Sequence, residues 1–267
     1  MYGALIGDIV GSIYEFHNIK KKDFELFGDR CTFTDDSVMT IAIAKSLTQY
    51  YSKDNNETLA QLAVKNMQEL GREYPGRGYG GHFAYWLWDL DPKPYNSYGN
   101  GASMRISPVA EVTLDLNKAL NMAEEVTAVT HNHPEGIKGA KATVHAIFLA
   151  RDKKKLEDIK KIIKDNYYPQ MDESFTLDNI RKDYYFNETC QETVPQAIQA
   201  FIESTSLEDA IRNAISLGGD SDTLACITGS IAEAYYGISD ELIEKAKSYL
   251  DDNLISIINN FEKLKNN

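Results

Sequence analysis

The apolar residues of this sequence recur with the period of an α-helix along nearly the whole chain. Near the start, Leu5, Ile6, Ile9, Val10 and Ile13 are spaced so that they share one helical face. Clear alternation of apolar and polar residues, which is typical of a half-buried β-strand, is not visible. We therefore predict an all-α fold, a compact bundle of many helices that forms a single domain over residues 1–267.

The remaining predicted helices follow from the same periodicity. They lie at about 38–50, 57–70, 117–130, 135–150, 155–165, 191–203, 206–217, 224–236 and 240–260. The segment 165–190 is polar and rich in Tyr, and we expect it to form an irregular excursion on the surface.

Two of the predicted helices, 38–50 and 224–236, are apolar on nearly every side. Small residues recur within them, including Ala42 in the first and Ala225 and Gly229 in the second. A helix that is apolar all round is buried, and small side chains allow close packing against a neighbour. We expect both helices in the core.

Acidic and hydroxyl side chains stand at the start of each of these buried helices. The first cluster consists of Thr34, Asp35 and Asp36, and the second of Asp220, Asp222 and Thr223. Helix capping is the alternative explanation for either cluster alone, but capping needs only one such side chain. Paired buried carboxylates without a neighbouring base repel each other, whereas a hard divalent cation prefers oxygen ligands. The clusters therefore predict a site for two metal ions about 3.5–4 Å apart.

The net charge and the cysteine content indicate which partners and which cell compartment to expect. The net charge of −12 argues against a nucleic-acid backbone or an anionic membrane as the main partner. Asp8 interrupts the apolar N-terminal run, which also lacks the basic start of a signal peptide. The three cysteines include no CxxC pair, so we expect reduced thiols in a cytoplasmic protein.

Five segments resemble the motifs of the ADP-ribosylglycohydrolase family, in the family's order. They are residues 3–8, 33–37, 99–105, 130–134 and 219–223. The family includes dinitrogenase reductase-activating glycohydrolases and eukaryotic ADP-ribosylhydrolases. The resemblance implies an all-α fold with a dinuclear metal cleft that holds two Mg²⁺ or Mn²⁺ ions. It also implies that the six residues of the two acidic clusters bind these ions.

The activity that the resemblance implies is hydrolysis of the glycosidic bond between ADP-ribose and a modified protein side chain or small acceptor. Glu15 is a catalytic candidate, because 12–17 resembles a segment of the serine-directed eukaryotic branch, and this favours O-linked acceptors slightly. A solvated Glu at a helix end is the alternative. In that case Asp36 or a metal-bound water supplies the proton chemistry.

Further residues are expected to bind the nucleotide part of the substrate. These are Gly78, Tyr79, Gly80, Asn100, Gly101, Ser103, Met104 and His131. Glycine-rich loops can hold a diphosphate through backbone N–H groups, although a turn without a ligand is the alternative. Arg105 is expected to pair with a phosphate or to hold acidic side chains. Tyr79, Phe83 and Tyr98 are candidates to stack on adenine, with core packing as the alternative.

Two other functions are alternatives to hydrolysis of ADP-ribose linkages. A catalytically silent relative would bind ADP-ribose without cleaving it, but all six ligand-type residues are present. A two-metal phosphoesterase would more often mix His with carboxylates, and no His lies near the acidic clusters in sequence. The linkage that is hydrolysed stays open among arginine, serine, a nucleic-acid end, a nucleotide base and an acyl ester. We expect a monomer.

Overall fold

The protein is described by a computed structural model that covers residues 1–265. Within this range the chain forms α-helices and no β-strand, apart from one isolated bridge between Gly99 and Thr189. The predicted all-α fold class is confirmed. The domain boundaries 1–267 stay a prediction, and residues 266 and 267 lie outside the part of the chain that the structure describes.

The helices follow one another along the chain, and the two longest connections are 12–34 and 87–100. They are α1 Tyr2–Gly11, α2 Asp35–Tyr50, α3 Leu59–Glu73, α4 Gly81–Trp86, α5 Gly101–Met104, α6 Ser107–Glu111, α7 Leu116–Ala128, α8 Pro134–Arg151, α9 Leu156–Asn166, α10 Leu177–Asp183, α11 Cys190–Ile202, α12 Leu207–Ile215, α13 Ser221–Tyr236, α14 Asp240–Lys247 and α15 Asp252–Lys265. No helix among residues 1–265 combines the length and the apolar character that crossing a membrane requires.

Two sequence-based expectations are corrected by these boundaries. The stretch 240–260 forms two helices rather than one, because Asp251 Oδ1 accepts a hydrogen bond of 3.0 Å from Leu254 N and so starts a new helix. The segment 165–190 is only partly irregular, since it contains α10 and its last residues reach the cleft described below. Short helices such as α10 carry too few turns to show a period in sequence.

Helices α1 and α13 pack against each other at unusually short range. An added Cβ at Gly7 would lie 2.0 Å from Ala225 O, and one at Gly11 would lie 2.4 Å from Asp222 Cα. Any side chain at these two positions would force the helices apart. Because Gly11 touches the first turn of α13, this close packing also sets where Asp222 lies relative to α1.

The buried hydrophobic residues form one core around α1, α2 and α13. Every residue of α1 is buried, and not only its apolar face, since its glycine side is covered by α13. The predictions that α2 and α13 are buried and begin at the acidic clusters are confirmed. Both clusters are therefore fixed at the N-terminal ends of two helices of the core.

Candidate active site

The N-terminal ends of α2 and α13 meet at the bottom of a cleft. The Thr223 hydroxyl donates a hydrogen bond of 3.1 Å to Asp36 Oδ2, which joins the second acidic cluster to the first. Asp36 and Asp222 are both buried, and Asp35 is partly exposed. Two clusters that are far apart in sequence thus form one acidic centre.

A buried carboxylate beneath the first cluster holds its backbone in place. Asp8 of α1 accepts hydrogen bonds from Thr34 N at 3.0 Å and from Thr34 Oγ1 at 2.6 Å. It also accepts bonds from the backbone N–H of Ser37, at 3.1 Å, and from the Ser37 hydroxyl. Since its oxygens are occupied by four donors, Asp8 orients the start of α2. In the sequence, Asp8 is marked by a charge within an otherwise apolar helix and by its place in the segment 3–8 that resembles a family motif.

The second cluster is shaped by a turn with two glycines in the left-handed region. Gly218 and Gly219 have φ values of 72° and 74°, which side chains rarely adopt. Asn18 closes this turn, since its side chain accepts from Gly219 N at 2.7 Å and donates to Gly219 O at 2.8 Å. The side-chain amide of Asn100 donates a hydrogen bond of 2.7 Å to Asp220 Oδ2. These contacts orient the side chain of Asp220 towards the cleft.

The acidic centre fits a divalent cation. Oxygens of Asp8, Asp36 and Asp222 lie within 4.8 Å of one another, as do oxygens of Glu15, Asp220 and Asp222. Asp36 Oδ1 is buried and has no hydrogen-bond partner among the described residues. Burial, followed by repulsion from neighbouring carboxylates, raises the pKa of Asp36 and Asp222 well above the ordinary value. Oxygen-only donors, an unsatisfied buried oxygen and mutual repulsion are the conditions that a hard cation relieves.

Glu15 lies at the rim of the acidic centre, after the end of α1. Its side chain is half-buried and lines the cleft. Burial raises the pKa of Glu15 to about 7, and repulsion from Asp220, Asp8 and Glu188 adds to the effect. A carboxyl group with such a pKa can both hold and release a proton near neutral pH.

Another part of the lining of the cleft carries a buried cation. Arg105 is 1% exposed and lines the cleft, and its Nη2 donates a hydrogen bond of 2.7 Å to Thr130 Oγ1. No carboxylate of residues 1–265 lies within 4.0 Å of its guanidinium, and its Nε has no partner there. Burial lowers the pKa of Arg105 to about 10, so that the group stays protonated at neutral pH.

His131 packs beside Arg105 and over a glycine loop. Its Nδ1 lies 2.7 Å from Thr130 Oγ1 and 3.3 Å from Arg105 Nη2. Burial, and then the nearby Arg105 charge, lowers the pKa of His131 well below its ordinary value, so the ring is neutral. An added Cβ at Gly101 would lie 3.3 Å from His131 Nε2, which shows how closely the ring approaches the loop.

Most of the residues expected at the site line the same cleft. These are Glu15, Asp35, Asp36, Gly78, Gly80, Asn100, Gly101, Met104, His131, Asp220, Asp222 and Thr223. Tyr79, Ser103 and Thr34 are not among the lining residues. The Tyr79 hydroxyl donates to Tyr74 O at 2.9 Å, the Ser103 hydroxyl lies 3.6 Å from the Cys190 sulfur, and Thr34 caps α2. The roles assigned to all these residues stay predictions.

Several lining residues were not singled out from the sequence as site residues. They are His82, Tyr95, Ser97 and Glu188, whereas Gly81 and Gly99 belong to the two glycine-rich loops expected to hold the diphosphate, and Phe83 and Arg105 were each considered with an alternative role. Tyr95 packs on His131 with ring centroids 6.0 Å apart. Glu188 is brought in by the segment after α10, where its carbonyl accepts from Asn100 N at 2.7 Å. No sequence pattern marks Glu188, because its place depends on how that segment crosses the fold.

Comparisons with known proteins identify the family of this chain. The family model described as ADP-ribosylglycohydrolase matches residues 1–264. The chain is 27% identical to ADP-ribosylhydrolase ARH3 of Xenopus tropicalis, over 89% of this chain and 86% of that protein. It is 26% identical to ADP-ribosylarginine hydrolase Tri1 of Pseudomonas putida (strain GB-1), over 90% of this chain and 70% of that protein.

A solved structure has the same fold. It is described as an ADP-ribosylglycohydrolase-related protein complex and superposes with a TM-score of 0.69, covering 99% of this chain and 97% of that one. The two sequences are 20% identical, so that likeness concerns the fold alone.

Proposed function

Because this chain belongs to the ADP-ribosylglycohydrolase family, we propose that it hydrolyses the glycosidic bond between ADP-ribose and an acceptor group and releases ADP-ribose. The curated relatives that it resembles are named as ADP-ribosyl hydrolases. The name of one of them specifies arginine as the acceptor.

The opposite charges at the two parts of the cleft carry this proposal. The acidic centre has an unsatisfied buried oxygen on Asp36, and the other part has the protonated Arg105 without a carboxylate partner. Burying either charge alone is unfavourable. ADP-ribose carries groups that can bind to both parts of the cleft. Its diphosphate can form charge-assisted hydrogen bonds with a guanidinium, and the hydroxyls of its distal ribose can bind metal ions held by the acidic centre.

We propose two Mg²⁺ or Mn²⁺ ions as the cofactors of this centre. The residues that would hold them are Asp35, Asp36, Asp220, Asp222, Thr34 and Thr223. When bound, such cations supply positive charge that orients the ribose hydroxyls and neutralises the carboxylates. Whether Mg²⁺ or Mn²⁺ is preferred stays open, and the cytoplasmic location and monomeric state stay predictions.

In the proposed reaction, the bond between the anomeric carbon and the acceptor nitrogen or oxygen breaks. The oxygen of a water molecule bonds to that carbon, and a proton passes to the acceptor. Glu15 is the proposed group for moving this proton, because it lines the cleft beside Asp220 and Asp222. Asp36 is the second candidate, but its Oδ2 already accepts from Thr223, and its burial favours a metal-holding role.

The proposed function is tested by incubating the purified protein with an ADP-ribosylated protein and Mg²⁺, and by measuring free ADP-ribose. We expect release that stops when EDTA is added and is absent in Asp35→Ala. Tight binding of ADP-ribose without any release would identify a catalytically silent relative. Release of phosphate instead would show that the protein is a phosphoesterase.

A further inference from the structure

Glu15 lies outside the helices, and a single hydrogen bond ties its backbone to the rest of the fold. It follows α1 in the connection 12–34, where residues 12–17 form turns and bends. Among residues 1–265, the one hydrogen bond that involves an atom of Glu15 runs to its carbonyl oxygen from the side-chain amide of Asn18, at 2.8 Å. Asn18 is thus the residue whose polar contact fixes the backbone of Glu15.

The same side chain joins the Glu15 segment to the turn before Asp220. Asn18 Nδ2 also donates to Tyr14 O at 2.7 Å and to Gly219 O at 2.8 Å. In return, Asn18 Oδ1 accepts from Gly219 N at 2.7 Å. The bridge needs a donor and an acceptor on one short side chain, which the Asn amide supplies. Because Gly219 directly precedes Asp220, one amide sets where the Glu15 backbone lies relative to the start of the second acidic cluster.

Glu15 and Asp220 are oriented by two different amides. Oxygens of Glu15, Asp220 and Asp222 lie within 4.8 Å of one another. The carboxylate of Asp220 is held directly, since it accepts the bond of 2.7 Å from Asn100 Nδ2. Glu15 has no such bond to its carboxyl group within residues 1–265, so its orientation depends on how its backbone is held. A displacement of about 1 Å in a reacting group can lower the rate about 100-fold.

A second side chain of the same segment also binds this turn. Lys20 Nζ donates to Leu217 O and, at 2.7 Å, to Tyr184 O. An added Cβ at Gly218 would lie 3.2 Å from Asn18 Oδ1 and equally far from Lys20 Nζ, so both side chains lie against the turn. Neither bond of Lys20 involves the backbone of residues 14 and 15. Lys20 therefore stabilises the turn without holding Glu15, which makes it a matched comparison for Asn18.

We propose that Asn18 is a positioning residue for proton transfer, which acts by holding the Glu15 backbone against the turn that begins the second acidic cluster. This proposal rests on the proposed hydrolase function and on the role of Glu15 in it. Asn18 is not among the residues that line the cleft, so its effect on the reaction must pass through Glu15 or through the turn. Removing its amide keeps the carboxyl group of Glu15 but takes away its orientation.

The test is a double-mutant cycle of Asn18→Ala and Glu15→Gln, measured on an ADP-ribosylated protein with saturating Mg²⁺. Asn18→Ala alone should lower kcat about tenfold to 100-fold, as misplacement of a reacting group does. In the Glu15→Gln protein, the same change should lower kcat by less than about twofold further, because a residue that acts through another is not additive with it.

Binding measurements on Asn18→Ala complete the cycle. The affinity for Mn²⁺ should fall much less than kcat, because Asp220 keeps its hydrogen bond from Asn100. The affinity for free ADP-ribose should also be nearly unchanged, since binding of the product needs no proton transfer. A split between kcat and these affinities is what a purely structural role of Asn18 would not produce.

Two further variants separate positioning from loss of the fold. Lys20→Met loosens the same turn but keeps the bond between Asn18 and Glu15, so it should lower kcat less than Asn18→Ala does. Asn55→Ala removes a comparable amide between α2 and α3, which donates to Glu57 O at 2.8 Å and accepts from Glu57 N at 3.0 Å. Asn55 does not line the cleft, and its variant should keep the wild-type kcat. Melting temperatures verify that each variant is folded.

The outcomes distinguish this proposal from the function on which it rests. An unchanged kcat in Asn18→Ala, the same loss in the Glu15→Gln protein as in the wild type, or an equal loss in Lys20→Met would overturn the positioning role and leave the hydrolase intact. So would a loss of Mn²⁺ affinity as large as that of kcat. An unchanged kcat in Glu15→Gln would also overturn it, because Asn18 would have no catalytic group to position. Failure of the wild-type protein to release ADP-ribose from any ADP-ribosylated substrate would overturn both.

Discussion

Asp36 and Thr223 lie 187 positions apart in the chain and are joined by a hydrogen bond of 3.1 Å. This bond connects the first turn of α2 to the first turn of α13. One oxygen of Asp36 is thereby fixed, and the other is buried without a partner. The pair thus presents an oriented, unsatisfied carboxylate oxygen to the cleft.

Asp36→Asn should abolish metal binding while making the metal-free protein more stable. The amide removes a buried charge that repels its neighbours, so the melting temperature in EDTA should rise. Turnover should fall by at least about 100-fold, as expected when charge stabilisation at a reacting centre is lost. Thermal denaturation with and without Mn²⁺ measures both effects. A metal-induced increase in melting temperature equal to that of the wild type would refute the ligand assignment.

Glu15→Gln should lower kcat by about 100-fold or more, because general acid–base catalysis contributes that much. The affinity for ADP-ribose should change far less, since the product needs no proton transfer. Steady-state kinetics measures kcat, and isothermal titration calorimetry measures the affinity for ADP-ribose. Glu25→Gln is the matched control, because Glu25 is exposed and does not line the cleft. A loss of ADP-ribose binding as large as the loss of kcat would make Glu15 a positioning residue.

The metal-free protein should lose stability as the pH rises. Asp35, Asp36 and Asp222 have folded-state pKa values well above the ordinary 3.8. The folded state therefore binds protons more tightly than the unfolded state. The stability contributed by these groups is fully present below the unfolded pKa and is lost as the pH rises through the folded pKa.

Bound cations reverse the loss of stability with rising pH, because they bind the ionised form of the carboxylates. The increase in melting temperature on adding Mg²⁺ or Mn²⁺ should therefore be larger at about pH 8 than at about pH 5.5. Scanning calorimetry at both pH values, with Asp36→Asn measured in parallel, isolates the acidic centre from the other titrating groups. An increase that is independent of pH would contradict this account.

Gly11→Ala should destabilise the fold by about 1–3 kcal/mol, as overpacking does. The new Cβ would lie 2.4 Å from Asp222 Cα, so α1 and α13 must separate, and metal affinity should fall as well. Gly28→Ala is a suitable control, since a Cβ there would meet its nearest atom at 3.6 Å. Urea denaturation measures the stability of both variants, and Mn²⁺ titration measures their metal affinity. If the two variants behave alike, close packing of the helices does not set the position of Asp222.

Arg105→Met should weaken ADP-ribose binding about tenfold or more, because a charge-assisted contact to the diphosphate is lost. The free protein should be as stable as the wild type or more stable, since a buried charge without a carboxylate partner is removed. Metal affinity should be unchanged. Calorimetry with ADP-ribose, and with inorganic pyrophosphate as a simpler probe, measures the effect. Marked unfolding of the variant would instead assign Arg105 a structural role.

Much of the fold could be predicted from the sequence because long helices repeat their apolar positions over several turns. The two buried helices and the acidic residues at their starts follow from local pattern and capping chemistry. The break at Asp251 and the short helix α10 could not be predicted, because one or two turns carry no period. For the site, the sequence could not predict which residue of a loop faces the cleft. Ser103 and Tyr79 were predicted to bind the substrate, but their sequence neighbours line the cleft and they do not.

The sequence by itself determined that this protein is helical and that it carries two oxygen-rich clusters suited to divalent metals. Only the tertiary structure decided that Asp8 anchors the first cluster, that Arg105 is buried without a carboxylate partner, and that Glu188 lines the same cleft as Glu15. The physical reason is that helical periodicity and capping act between residues a few positions apart. These contacts instead join segments that are brought together only when the helices pack.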